Sequence, residues 1–132
     1  MSTSIHRQLY KQSTLITLSD ASLPLVRFVV ASRKGAYHDP IGQAGLGAQV
    51  LEMTLRGSAS LNRRDFNMRL EGLGSAVSAQ GGSSYSLLRG VCLKRFIDET
   101  FDLVCEAILK PAHAPEQQRR LRDELEEEIL WA

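Results

Sequence analysis

The pattern of apolar and polar positions divides the chain into eight predicted elements. Residues 14–18 (TLITL) are rich in β-branched types and predict a strand. Residues 19–24 (SDASLP) are turn chemistry, and Pro24 cannot donate to a central ladder. Residues 25–31 (LVRFVVA) are almost wholly apolar, which predicts a second strand covered on both faces. The short polar link between the two predicts an antiparallel hairpin. Residues 33–43, with Gly35, Pro40 and Gly42, read as a loop.

The period then changes. Over residues 44–56, Leu46, Val50, Met53 and Leu55, with Ala44 and Ala48 between them, leave little polar surface and predict a buried helix that stops at Gly57. Asn62 is placed to cap a helix that runs to Leu73, with Gly74 beyond it. Residues 75–80 and 85–92 are predicted strands joined by a hairpin turn at Gly81–Ser84 (GGSS). Ile97, Phe101, Val104 and Ile108 fall on one face of a helix that ends before Pro111. Pro115 opens a last helix, rich in Arg and Glu, that continues into Trp131 and Ala132. No stop signal follows it, so the chain is expected to be part of a longer product. The predicted order β-β-α-α-β-β-α-α belongs to the α+β class, an antiparallel or mixed sheet covered by helices on one face.

Composition narrows the function classes. The 132 residues are one domain's worth, and 43% hydrophobic content supports a folded core. Sixteen basic against fifteen acidic residues leave a net charge of +1. That balance provides neither the general basic field expected of a nucleic-acid partner nor a polybasic membrane anchor. No apolar run reaches the roughly 18 residues of a membrane span. Residues 1–14 hold no apolar stretch of secretory type, so a cytoplasmic location is expected. Cys92 and Cys105 are too few for a disulfide framework and are expected to be reduced and buried.

Chemistry is sparse on the same reading. His6, His38 and His113 each lack a His or Cys three or four residues away, so no helical pair of metal ligands exists. His38, beside Asp39, reads as an exposed loop histidine. There is no G-x-S-x-G elbow, and Gly81–Ser84 lacks the strand-to-helix setting of a phosphate loop. The carboxylates Asp123, Glu124, Glu126, Glu127 and Glu128 read as a solvated helix face, with one glutamate turned inward toward a metal as the alternative.

Three stretches carry a resemblance. Residues 23–58, with Gly35, Asp39-Pro40, Gly45-Leu46-Gly47 and Met53-Thr54-Leu55-Arg56-Gly57-Ser58, resemble the start of the pitrilysin/insulinase (inverzincin) family of zinc peptidases. Residues 63–79 resemble that family's second helix and the strand after it, and residues 96–129 its leucine-rich helix, connector and acidic helix. The resemblance implies a metallopeptidase-like half-domain from the family's N-terminal part. Catalytic members carry H-x-x-E-H on the first helix, two imidazoles holding zinc and a glutamate activating water, with a third ligand from the acidic helix. Here Ala48 and Glu52 stand at the histidine positions and Leu51 at that of the base; only the third ligand is retained, as Glu128, 76 residues after Glu52. Ser78 stands where catalytic members have an asparagine in the strand that runs beside the substrate.

The resemblance therefore implies the family's non-catalytic branch, with no catalytic residues, no bound metal and no cofactor. Such a chain is expected to partner an active zinc-peptidase homologue or to self-associate. Two alternatives stand beside this expectation. One is an active zinc metalloendopeptidase with unusual ligands, Glu52, Glu128 and His38. The other is a module that binds an extended peptide by strand addition along residues 75–80, at Ser78 and Ala79.

Overall fold

The computed structural model describes residues 4–131. Three strands open the chain: β1 (Ser4–Tyr10), β2 (Ser13–Ser19) and β3 (Leu25–Ser32). After a single 3-10 turn at Ala36–His38 come α1 (Leu46–Thr54), α2 (Arg63–Gly72), β4 (Ala76–Gly81) and β5 (Ser86–Leu93). A second such turn, Lys94–Phe96, leads into α3 (Ile97–Leu109) and α4 (Pro115–Trp131). The class is α+β, as expected; Ala132, the expected end of the last helix, lies outside the described residues.

The strand pairing differs from expectation at the start of the chain. β2 does not pair with β3. It pairs with β1, an additional strand, in register from Ser4↔Ser19 to Tyr10↔Ser13. The two-residue link Lys11-Gln12 closes this hairpin more tightly than the five residues 20–24 could close the other. Those five residues instead carry the chain onto the second sheet, where the Pro24 carbonyl accepts a bond from the Lys94 N–H (2.9 Å). There β3 pairs antiparallel with β5, and β5 with β4, giving the order β3-β5-β4. The single expected sheet is thus two sheets. The β4–β5 hairpin around the Gly-Gly-Ser-Ser stretch forms as predicted.

β3 is not covered on both faces. Val26 and Phe28 point inward, whereas Leu25, Val29 and Val30 are exposed. The inward Phe28 ring lies across Gly90, its register partner, where an added Cβ would fall 2.0 Å from the ring. The same ring meets Phe101 of α3 at 4.7 Å between centroids. Gly90 therefore leaves the space through which β3 and α3 touch.

The core forms where α2 and α3 meet the sheet. Phe66 and Leu70 of α2 pack with Leu103 and Ala107 of α3, flanked by Leu55, Leu61, Leu73 and Val77. Both ends of α2 behave as the sequence predicts. The Asp65 N–H donates to Asn62 Oδ1 (2.9 Å), and past the helix Gly74 adopts φ +63° while the Ser75 N–H returns to the Leu70 carbonyl (2.9 Å). In α3 the buried stripe runs through Thr100, Leu103, Val104 and Ala107, rotated from the expected one, so Ile108 is exposed. Cys92 is buried as expected. Cys105 is exposed, because it stands one residue past Val104 and off that stripe. The expected burial of α1 is also corrected: only Met53 is buried, and Ala48, Val50 and Glu52 are exposed. Its main neighbours among the described residues are β4, α4 and the 3-10 turn at Ala36–His38.

Candidate functional site

The site is built at the junction of α1 with the end of β4. The loop before α1 is pinned to the β4–β5 turn. Ala36 N–H donates to the Gly82 carbonyl (3.0 Å), Tyr37 N–H to the Ser83 carbonyl (2.9 Å), and Ser86 Oγ to the Lys34 carbonyl (2.6 Å). Gly35 permits this approach, since a Cβ there would stand 2.3 Å from the Gly82 oxygen. Asp39 then starts the helix. Its Oδ2 accepts from the Gly45 N–H (2.8 Å) and its Oδ1 from the Gly47 N–H (2.9 Å), satisfying amides that would otherwise be orphaned at the first turn. Sequence reasoning placed Asp39 in a loop and did not assign it this role; an Asp six residues before the N-cap Gly45 of a Gly-Leu-Gly start is the signal that could have shown it.

With α1 so anchored, Ala48 and Leu51 face the end of β4. A Cβ at Gly81 would lie 3.9 Å from both the Ala48 Cβ and the Leu51 Cδ2. The contact surface here is hydrocarbon. Glu52, the next position on α1, is exposed. Glu128 lies on α4 seven residues beyond the buried Leu121, on the same helical face, and is exposed. His38 is exposed in its 3-10 turn, where its Nδ1 accepts from the Gly35 N–H (3.3 Å).

Glu52, Glu128 and His38 are not gathered into a ligand set: among the described residues no group of three or more His, Cys, Asp or Glu side chains is placed to hold a metal ion. A tetrahedral zinc site needs N, S or O donors at each position. Ala48 and Leu51 have none, so the residues present do not fit the metal that the resemblance implies.

Among the described residues β4 forms one edge of its sheet, with no strand beside its outer row of N–H and C=O groups. Ser78 is exposed on this strand and Ala79 half-buried, opposite Arg89 and Leu88 of β5.

Two carboxylates hold the surrounding helices. Arg56, just after α1 and 7% exposed, makes an ion pair with Glu124 of α4. That hydrogen bond holds the Glu124 carboxyl below the usual carboxylate range. Glu106 of α3 accepts from the Ser60 hydroxyl, from the Ser58 hydroxyl (3.0 Å) and from the Ser60 N–H (3.2 Å). The Ser60 and Ser58 hydroxyls lower its pKa. The sequence alone left Glu124 among the solvated charges; its partner is 68 residues away and no local spacing reveals it.

No family model matches the chain, and no curated protein matches it. Among solved structures, the chain is similar to the crystal structure of a peptidase M16 inactive domain from Pseudomonas fluorescens, with a TM-score of 0.86 at 15% sequence identity. The match covers 91% of this chain and 30% of that one, so the chain spans less than a third of its neighbour's length. At this identity the likeness is one of fold alone, an α+β arrangement shared with that domain.

Proposed function

We propose that this chain is a catalytically inactive peptidase-like domain of the pitrilysin/insulinase type, acting as the partner of an active zinc-peptidase homologue whose peptide-binding chamber it helps to form. One observation carries the reading. Where the resemblance calls for two imidazoles and a general base, α1 bears a methyl group and an isobutyl group turned toward β4, at Ala48 and Leu51, and an exposed carboxylate at Glu52. A methyl group cannot ligate, and a hydrocarbon at position 51 cannot accept a proton from water. The sequence resemblance and the likeness of fold to a domain described as inactive point the same way.

Metal analysis and peptidase assay on the purified chain test this. The expected result is zinc well below one per chain after dialysis and no cleavage of unstructured peptides. One tightly held zinc per chain, lost on Glu52→Gln, overturns the reading and favours an active enzyme with unusual ligands. The combined substitution Ala48→His, Leu51→Glu and Glu52→His is expected to restore zinc binding, with Glu128 completing the set.

A second reading is favoured by the unpaired edge of β4: an extended peptide adds to it as a further strand. Neighbouring residues of a strand point their N–H groups to opposite sides, so one of Ser78 and Ala79 aims outward. Of the variants Ser78→Pro and Ala79→Pro, the one that removes the outward donor is expected to weaken peptide binding more. Equal binding by both variants and the parent chain counts against strand addition.

A further inference from the structure

The outward face of the β3-β5-β4 sheet carries charges that neither the α1–β4 junction nor the helix ties use. Phe28, Leu88 and Cys92 point inward, so Arg27 and Val29 of β3, Arg89 of β5 and Ser78 of β4 share the other face. The register sets Val29, Arg89 and Ser78 side by side in one row across the sheet. Arg27, whose partner is Val91, stands diagonally across from Arg89. The three strands contain no Asp and no Glu, and Arg27 and Arg89 are their only charged residues. Both arginines are exposed, and neither takes part in an ion pair among the described residues. Two like charges thus lie as diagonal neighbours on an open face with no counter-charge on any of its strands.

We propose that Arg89 selects extended peptides that carry an acidic side chain at the position beside Ser78. This selection rests on the reading in which a peptide adds to β4 as a further strand, and it names the class of peptide that the edge takes. Paired residues of neighbouring strands project to the same face, so the peptide residue opposite Ser78 extends the Val29–Arg89–Ser78 row. Strands stand about 5 Å apart, which puts that residue about 10 Å from the Arg89 backbone. An arginine and a glutamate side chain reaching toward each other span this gap, and the intervening Ser78 is too short to block them. An acidic residue there gains an opposite charge and meets no carboxylate on any strand of the sheet. A lysine there meets Arg89, with Arg27 behind it.

Fluorescence anisotropy with three labelled peptides of equal length tests it. Each alternates valine with one polar residue (glutamate, glutamine or lysine), so that one face of the bound strand carries the charge. The parent chain is expected to bind the glutamate peptide about fivefold more tightly than the glutamine peptide, the size of an exposed ion pair, and the lysine peptide most weakly. The gap should narrow as salt rises. Arg89→Gln is expected to remove the preference while leaving affinity for the glutamine peptide unchanged, and Arg89→Glu to invert the order. Arg27 stands one strand farther from the β4 edge, so Arg27→Gln should remove less of the preference. Arg64→Glu, at an exposed position on α2, changes the net charge as much as Arg89→Glu and should leave the order as it was. Position 89 is exposed, so circular dichroism melts of its variants should match the parent. Equal binding of the three peptides by the parent, or a preference that survives Arg89→Gln, overturns the proposal and leaves strand addition standing. So does an order inverted by Arg64→Glu, or a larger loss from Arg27→Gln than from Arg89→Gln. Binding of none of the peptides overturns strand addition and the selection together.

Discussion

The two sheets of this molecule use similar sequence patterns to opposite effect. β1 and β2 pair along seven residues each, yet almost every position in both is exposed, including Ile5, Leu9, Leu15, Ile16 and Leu18. β5 is flanked by a strand on each side and buries Leu88 and Cys92. Both regions satisfy their backbone by cross-strand hydrogen bonding. Only the second also removes apolar surface from water, because α1 packs on β4, α3 on β5, and Val77 of β4 joins the α2–α3 cluster. An isolated two-stranded hairpin is marginal in water. The difference teaches that pairing defines the strands, while the helical layer determines where the folding free energy resides.

The comparison can be broken most forcefully at Phe66, fully buried between α2 and α3. Phe66→Ala is expected to cost about 3–5 kcal/mol in denaturant unfolding, by lost burial and the cavity left behind. Next comes Gly90. Gly90→Ala drives a methyl into the Phe28 ring and is expected to cost about 1–3 kcal/mol, measured in the same way. The combined Phe28→Leu change should recover part of that loss, and strict additivity would show that the ring is not the obstacle. Arg56→Met, which removes the tie between α1 and α4 and leaves the exposed Glu124 to water, is expected to cost about 1 kcal/mol.

Acid sharpens the same contrast. Glu106 and Glu124 both titrate below the ordinary glutamate value of 4.5 in the folded chain. A lowered folded pKa contributes stability that is present above the unfolded value and is lost as pH falls through the folded one. The melting temperature is therefore expected to decline as pH drops below 4.5, and Ser58→Ala with Ser60→Ala should flatten that decline. The smallest effect is expected in the hairpin: Ile16→Ala, at an exposed position, should change stability by less than about 0.5 kcal/mol. Amide exchange faster in β1 and β2 than in β5 would agree with this ranking.

Much of the fold was legible because its signals are local. The Asn62 cap, the Gly74 stop, Pro115 at the start of α4 and the Gly-Gly-Ser-Ser turn each act within a few residues, so one sequence suffices to find them. The identity of the side chains at the motif positions was equally legible. Ala48 and Leu51 have no donor atoms in any conformation, and the structure adds only that they face Gly81. What escaped was everything set by distant partners: β3 joining β5 instead of β2, the ion pair of Arg56 with Glu124, and Glu106 gathering Ser58 and Ser60.

The sequence by itself determined where α2 and α4 begin and where α2 ends, and that the side chains of Ala48 and Leu51 can neither ligate nor accept a proton, because both follow from covalent structure and short-range sterics. The tertiary structure alone decided which strands share a sheet, which face of α3 is buried and which residues of α1 stay exposed. An apolar residue records a preference to leave water but not the surface that will receive it, and here that surface lies tens of residues away along the chain.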